Sequence, residues 1–434
     1  MRLVHLSDLH LGYRQFQRQT ASGVNQREAD VAATCARAID QAIALAPQIV
    51  LVAGDVFHQV RPPNSAILDG FRMFAKLRAA LPDALIVMIA GNHDVPRVSD
   101  AGCILQLFTE LDVRVVFRGI ERIDDPARDL SILAVPYTPP GSTQLANGPA
   151  NGAENAASDV ASPVPTSRGF TADARRKYNL LLVHDEVRGV VPEAAQPGDR
   201  LYTPIDPIEL ERSPWDYVAF GHYHVYRRIE LQHAPTRRVI PCYYSGSLDY
   251  TSTNPWADVR EETLRNGAAP GQGKGFIEHD LATGAHVFHP VETSRPLLDL
   301  PPIDAAELTA ADLDARIADA IARVDAHIDN SIVRLVVRNV SRHVVRTLDY
   351  APLRDVRRRA LHFHLDTRKP ELLAAAPSSG AAGRRATLRD RLAERLRQRS
   401  LAPGLDRDRL VQLGLAYLAR AEDAAVAALP IADV

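Results

Sequence analysis

Cysteine is scarce in this chain. Cys35, Cys103 and Cys242 are all that 434 residues contain. Their wide, odd-numbered spacing supports neither a disulfide framework nor a cysteine-based zinc cluster. Any metal held here must therefore be bound by His, Asp, Glu or Asn. Long apolar runs are also missing. The stretch "LIVMIA" at 85–90 is among the longest, far below the roughly 20 residues that a membrane span requires. The first ten residues, "MRLVHLSDLH", carry Asp and His where a signal peptide needs an apolar stretch. A cytoplasmic protein with no membrane partner is the expectation. A strong overall charge is absent too: the formal net charge is −2, which by itself says nothing in favour of nucleic acid.

Hydrophobic residues make up 46% and charged residues 24% of the chain, the balance of an ordinary globular protein. The length allows roughly two to four domains, each with its own core. Charge is distributed unevenly. Residues 351–400 hold 13 Arg and Lys against 5 Asp and Glu, which reads either as a solvated helical face or as a surface that tracks phosphates.

From residue 1 to about 137, strand-like runs alternate with helical patterns. "RLVHLSD" reads as a strand and "READVAATCARAIDQAIALA" (27–46) as an amphipathic helix. The strand "QIVLVAGD", the helix "NSAILDGFRMFAKLRAAL" and the strand "LIVMIAGNHD" follow. This alternation predicts parallel βαβ units in a layered α/β domain. Further strands are expected at 113–117 and 130–137. Residues 138–170 lose all apolar periodicity and read as a surface insertion, because strands resume with "YNLLLVHD" (178–185). The first domain is placed at 1–295. "RPLLDLPPID" (295–304) reads as a linker, 305–370 as a small α+β module, and 384–428 as a pair of helices after an Ala/Ser/Gly-rich stretch.

Five short elements place Asp, Asn or His at the end of a predicted strand. They are "SDLH" (Asp8, His10), "GDVFH" (Asp55, His58), "GNHD" (Asn92, His93, Asp94), "VHD" (His184) and "GHYH" (His222, His224). Singly, each has a commonplace reading: Asp after a strand caps a turn, and Gly-Asn is ordinary turn chemistry. Jointly they point elsewhere, because loops after strand C-termini converge on one edge of an α/β sheet. Asp8, His10, Asp55, Asn92, His184, His222 and His224 supply seven O and N donors and no thiolate, a set that suits Mn, Fe or Zn. Seven donors exceed one tetrahedral site, so two ions sharing a carboxylate is the economical arrangement. Such a pair, about 3.5–4 Å apart, clamps a phosphate for in-line displacement.

The pattern "DLH…GD…GNHD…H…GHYH" resembles the calcineurin-like metallophosphoesterase superfamily, over essentially all of residues 1–250. "HLSDLHLGYRQF", "IVLVAGDVFHQVRPP", "IAGNHDVPR" and "AFGHYHVYRRI" are similar to the SbcD-type nucleases, relatives of the meiotic recombination eleven nuclease. The resemblance implies a layered β-sandwich flanked by helices, a small α+β capping domain at 305–370, and a C-terminal helix pair. It implies one ion on Asp8, His10 and His224, a second on Asn92, His184 and His222, and Asp55 bridging both, with Mn2+ the expected metal. It further implies that His93 is the catalytic histidine, that Asp94 orients its other ring nitrogen, and that His58 stands beside the site. His184 is followed by Asp185 and Glu186 where relatives often carry small residues, which leaves room for an extra acidic role. His5, His362 and His364 read as structural.

The function so implied is a metal-dependent DNA nuclease, 3′→5′ exonuclease on duplexes and endonuclease on single strands, nucleoid-associated and acting in double-strand break repair. Its implied partners are DNA, a second copy of the chain, and an SbcC-type (Rad-fifty-like) ABC ATPase docked on the terminal helices. Leu388, Leu392 and Leu396 recur every four residues there, a stripe that serves equally to pack the two helices together. Two alternatives remain: a phosphomonoesterase or cyclic-nucleotide phosphodiesterase, and a catalytically silent scaffold.

Overall fold

The computed structural model describes residues 1–96, 102–138, 169–190, 204–267, 273–369, 388–398 and 406–427. The chain divides into two units, Met1–Pro370 and Glu371–Val434. The insertion expected at 138–170 falls outside the described residues except at 138, 169 and 170.

Two six-stranded sheets form the body of the first unit. In the first sheet, Arg2–Leu6, Ile49–Val52, Leu85–Ile89 and Arg114–Val116 run parallel. Gly275–Asp280 and His286–Pro290 extend it antiparallel beyond Arg2–Leu6. In the second, Leu130–Val135, Tyr178–His184, Tyr217–Gly221 and Cys242–Tyr244 run parallel. Glu121–Asp125 and Arg227–Arg228 pair antiparallel at its two edges.

Alternation along the strands explains the layering. Leu3, Ile49, Leu51, Val87 and Ile89 face one way and pack against Ile132, Leu180, Leu182, Tyr217 and Ala219 of the opposite sheet. Val4, Leu6, Val50, Val52, Ile86 and Met88 face the other way, onto helices Gln26–Ala44 and Asn64–Ala80. A strand buried on both faces reads as continuously apolar, which is why "IVLV" and "LIVMI" show no polar alternation. Asn25 caps the first helix by accepting the N–H groups of Arg27 and Glu28.

Beyond the sandwich lies a three-stranded parallel sheet of Leu297–Asp304, Ile332–Arg338 and His362–Thr367. Helices Ala310–Ala322, Arg342–Thr347 and Ala351–Arg359 accompany it around a core of Leu313, Ile317, Val333, Leu335, Leu353 and Phe363. The segment expected to be a linker is thus a strand. Pro301 and Pro302 disguise it: the ladder shifts register between Leu300 and Ile303, and the strand lies at the sheet edge, where proline is tolerated. The strand Glu121–Asp125, the helix Pro255–Asn266 and the 3₁₀ turn Ile104–Leu111 were also not legible in the sequence.

In the second unit, helices Leu388–Gln398 and Arg407–Ala427 pack on each other. A Cβ at Gly414 would stand 2.5 Å from Leu396 Cδ1, so the glycine is what permits the close approach. Ala393 and Val411 are buried, while Leu413 and Tyr417 are 48% and 68% exposed.

Candidate metal centre

The site forms where the strand ends of the two sheets face each other. Asp8 follows Arg2–Leu6, Asp55 follows Ile49–Val52, Asn92 follows Leu85–Ile89, His184 ends Tyr178–His184, and His222 follows Tyr217–Gly221. Three of these donors, and His10 close after Asp8, need a backbone that L-residues seldom adopt: φ is +53° at Asp8, +48° at His10, +50° at Asp55 and +92° at His222. Such conformations persist where surrounding contacts over-determine them. Here the contacts are backbone hydrogen bonds. Asp8 N–H donates to Gly54 O at 3.0 Å, and His10 N–H to Asp55 O at 3.0 Å. Both Asp8 carboxylate oxygens accept the His222 N–H at 3.1 Å, stitching one sheet to the other.

Two glycines keep the walls thin. A Cβ on Gly91 would lie 2.1 Å from Asp55 Oδ1, and one on Gly221 would lie 1.9 Å from the Ala53 carbonyl. Neither position admits a side chain without moving a donor.

The donors fall into two groups. Asp8, His10 and His224 bring their ligand atoms within 4.8 Å of one another, as do Asp55, His184 and His222. His10 Nε2 is 3.0 Å from His224 Nε2. Asn92 Oδ1 joins the second group, 3.1 Å from His184 Nε2 and 3.0 Å from His222 Nδ1. Asp55 stands between the groups: its Oδ2 is 3.5 Å from His184 Nε2 and 3.8 Å from His10 Nε2. All seven residues expected as ligands are thus gathered at one place.

The protonation states suit a cation. Burial, outweighing Asp55, pulls the His10 imidazole well below its ordinary range, and burial with Lys274 does the same at His224. Both rings are therefore neutral, the ligand form. At His184, burial works downward, but the Asp55 carboxylate overrides it and raises the group to about 9. The Nδ1–H of His184 donates to the Ala53 carbonyl at 2.7 Å, so a proton held on Nε2 would face Asp55, where a divalent cation would take its place. Two almost fully buried carboxylates, Asp8 and Asp55, with oxygen and imidazole donors and no thiolate, fit hard or borderline divalent ions.

His93 lies beside this cluster with its ring 4.9 Å from that of His10. Its backbone N–H donates to Asp55 Oδ1 at 2.9 Å. Asp94 does not orient its ring, contrary to the sequence expectation. The fully buried Asp94 carboxylate instead accepts backbone N–H groups of Gly91, Phe57 and Val56 at 3.0, 3.0 and 3.2 Å. The turn sends neighbouring side chains apart, and Asp94 ties the two ligand-bearing loops together. The orienting contact comes from His58, whose carbonyl accepts His93 Nδ1–H at 2.8 Å. The His58 ring stacks on His93 at 5.1 Å and brings its Nδ1 to 3.4 Å from His10 Nδ1.

Supporting residues escaped sequence reasoning. Ser7 Oγ donates to Asp8 Oδ2 at 2.6 Å and meets Ser245 Oγ at 2.7 Å. The fully buried Lys274 donates to the His224 carbonyl at 2.7 Å and pairs with Glu262 and Asp258 at 3.0 and 3.2 Å. Ser245 lies 238 positions from Ser7 and His224 lies 50 from Lys274, so nothing local announces these contacts. His5, read as structural, sits between the sheets against Tyr217 and Phe220. His362 stacks on Phe16 at 4.0 Å, away from the metal centre.

Residues 1–226 match the family described as calcineurin-like phosphoesterase. The DNA double-strand break repair protein Mre11 of Methanocaldococcus jannaschii is 25% identical over 292 residues, 65% of this chain and 63% of that protein. Its namesake from Aeropyrum pernix is 30% identical over 314 residues, 67% and 66% of the two chains. The one from Sulfurisphaera tokodaii is 25% identical over 281 residues, 64% and 59%. The chain spans under two thirds of the length of these relatives. Since the matched stretch takes in more than half of the 434 residues and every donor described above, the chain belongs to the calcineurin-like phosphoesterase family of hydrolases.

Proposed function

We propose that the protein is a metal-dependent DNA nuclease, cutting duplex ends 3′→5′ and single strands internally, in double-strand break repair. One observation carries this reading: two donor groups share Asp55, with His93 fixed by Asp55 and His58 at their edge. Asp8, His10 and His224 would hold one divalent ion and Asn92, His184 and His222 the other, manganese being the proposed metal. Such a pair supplies Lewis acidity at phosphate oxygens.

The chain's own residues supply the rest. His93 donates Nδ1–H to the His58 carbonyl, so in the imidazolium form its Nε2–H is left to give a proton to a departing 3′-oxygen, the ring returning to its neutral Nδ1–H form. Asp55 fixes the His93 backbone, which ties the acid to the carboxylate standing between the two donor groups. Asp94 holds the loops bearing both. On the three-stranded module, Arg354 and Arg357 are exposed on helix Ala351–Arg359 and have no salt bridge among the described residues, a placement that suits a phosphate backbone. That the similar proteins are named for DNA double-strand break repair supports DNA over a small phosphate ester as substrate.

The exposed Leu413 and Tyr417 of the helix pair are the proposed dock for an ABC ATPase partner, and a second copy of the chain is the proposed dimer mate. The deciding assay gives manganese-loaded protein a labelled DNA duplex and p-nitrophenyl phosphate side by side. Degradation of the duplex without ester turnover supports the nuclease. The reverse preference indicates a small-ester phosphoesterase, and no turnover of either indicates a scaffold. Truncation after about residue 375 should abolish ATPase association and leave manganese-dependent cleavage intact.

A further inference from the structure

The strand that delivers His184 continues into Asp185 and Glu186, and the chain there is pinned on both sides. Tyr244 Oη donates to the Asp185 carbonyl at 3.0 Å and accepts the Val187 N–H at 3.0 Å. The Glu186 carbonyl accepts the Ile205 N–H at 2.8 Å. The Glu186 side chain, 7% exposed, is thereby held with Oε1 3.4 Å from His222 Nε2.

His222 presents its two ring nitrogens to different partners. Nδ1 is 3.0 Å from Asn92 Oδ1, among the donors, and Nε2 faces Glu186. A nitrogen that binds a cation must offer a lone pair, so with Nδ1 among the donors the ring proton belongs on Nε2, which the Glu186 carboxylate faces at 3.4 Å. The residue also has φ of +92°, a conformation L-residues seldom adopt, and the contact at Nε2 gives its ring an external hold. His184 takes such a hold from the neutral Ala53 carbonyl. His222 takes it from the Glu186 carboxylate, which orients the ring. Among the described residues Glu186 belongs to neither donor group of the metal centre.

We infer that Glu186 is a positioning residue for His222, fixing its tautomer and ring direction toward a divalent cation in the second donor group. This rests on the reading of that group as a metal site. The test is a Mn2+ titration of the full-length apo-protein by calorimetry, with electron paramagnetic resonance reporting the coupled Mn2+ pair. Glu186→Ala should weaken one of the two binding steps by about 10–100-fold, the range for removing such a partner. The other step should stay within about threefold, and the pair signal should fade at subsaturating metal. Glu186→Gln keeps an acceptor oxygen and should restore both steps to within about threefold of wild type. Apo melting temperatures should match across the three proteins. Wild-type affinities in Glu186→Ala would overturn the inference, as would a Gln variant as weak as the Ala one. Equal weakening of both steps with a lower apo melting temperature would show a structural role only. Failure of the wild type to take up two ions would sink the metal-centre reading itself, a result distinct from the others.

Discussion

Asp55 grips the backbone N–H of His93 through Oδ1 at 2.9 Å while its Oδ2 points between His10 and His184. The carboxylate at the centre of the donor cluster therefore also sets the position of His93 beside it. The His93 ring takes no part in this contact, since its Nδ1 is spent on His58.

It follows that the His93 ring can be removed without dismantling the donors. His93→Asn should keep the metal content of the wild type and lose cleavage by about 10²–10⁴-fold, the usual worth of a positioned general acid. Metal analysis and turnover on one labelled duplex, measured on the same preparation, check this. Loss of metal in the variant would identify His93 as a ligand and leave the site without its acid.

Metal removal should be visible in stability. An ion present at a hundred times its Kd stabilises the folded state by about 2.7 kcal/mol per site, and the clustered Asp8 and Asp55 carboxylates lose their neutralising charge without it. Adding a chelator to manganese-loaded protein should lower the melting temperature by several degrees. Asp55→Asn, which deprives both groups of their shared donor, should melt at the same temperature with or without chelator. A wild type indifferent to chelation would argue that the donors hold no ion.

Much of this site was legible in the sequence because its signal is local. Each donor sits in a two- to four-residue motif after an apolar strand, and all seven expected ligands converge. The layered fold was legible for the same reason, from strand–helix alternation. What escaped is non-local. Asp94 was assigned to the His93 ring by the family resemblance, yet the turn points it into the Val56–Phe57 backbone. The strand Leu297–Asp304 was read as a linker because two prolines outweigh its apolar positions, and only pairing with Ile332–Arg338 rescues it. Lys274 reads as one more charged residue until the fold buries it under His224.

That buried lysine carries its own prediction. Burial pulls the Lys274 ammonium down, but Glu262 and Asp258 together hold it above the ordinary lysine range. Lys274→Met leaves two carboxylates buried without their cation, and breaking such a pair costs about 3–5 kcal/mol. Denaturant midpoints should fall accordingly, and adding Glu262→Gln should recover part of the loss, a coupling that a double-mutant cycle measures. Additive effects of the two substitutions would show that the pair is not energetically linked.

The last prediction concerns acid. His5 is fully buried between the sheets, where its ring nitrogens lie 3.1 Å from Tyr217 Oη and 3.2 Å from the Phe220 carbonyl. Burial lowers its pKa from 6.5 to about 3, so the folded state keeps the ring neutral where the unfolded chain accepts a proton. The unfolded state then binds more protons at low pH, and linkage makes stability fall as pH drops. The contribution is complete above pH 6.5 and is lost progressively between 6.5 and about 3. At pH 5 the loss amounts to on the order of 2 kcal/mol, from 1.36 kcal/mol per pH unit. His5→Gln keeps a donor and an acceptor but cannot take a proton. Its denaturation midpoint should therefore decline less steeply than that of the wild type between pH 7.5 and 5, even if it starts lower. Parallel declines in the two proteins would mean that His5 contributes nothing to acid sensitivity. The half-buried His286 and buried His279, both pushed to about 4 by burial, would then be the groups to replace next.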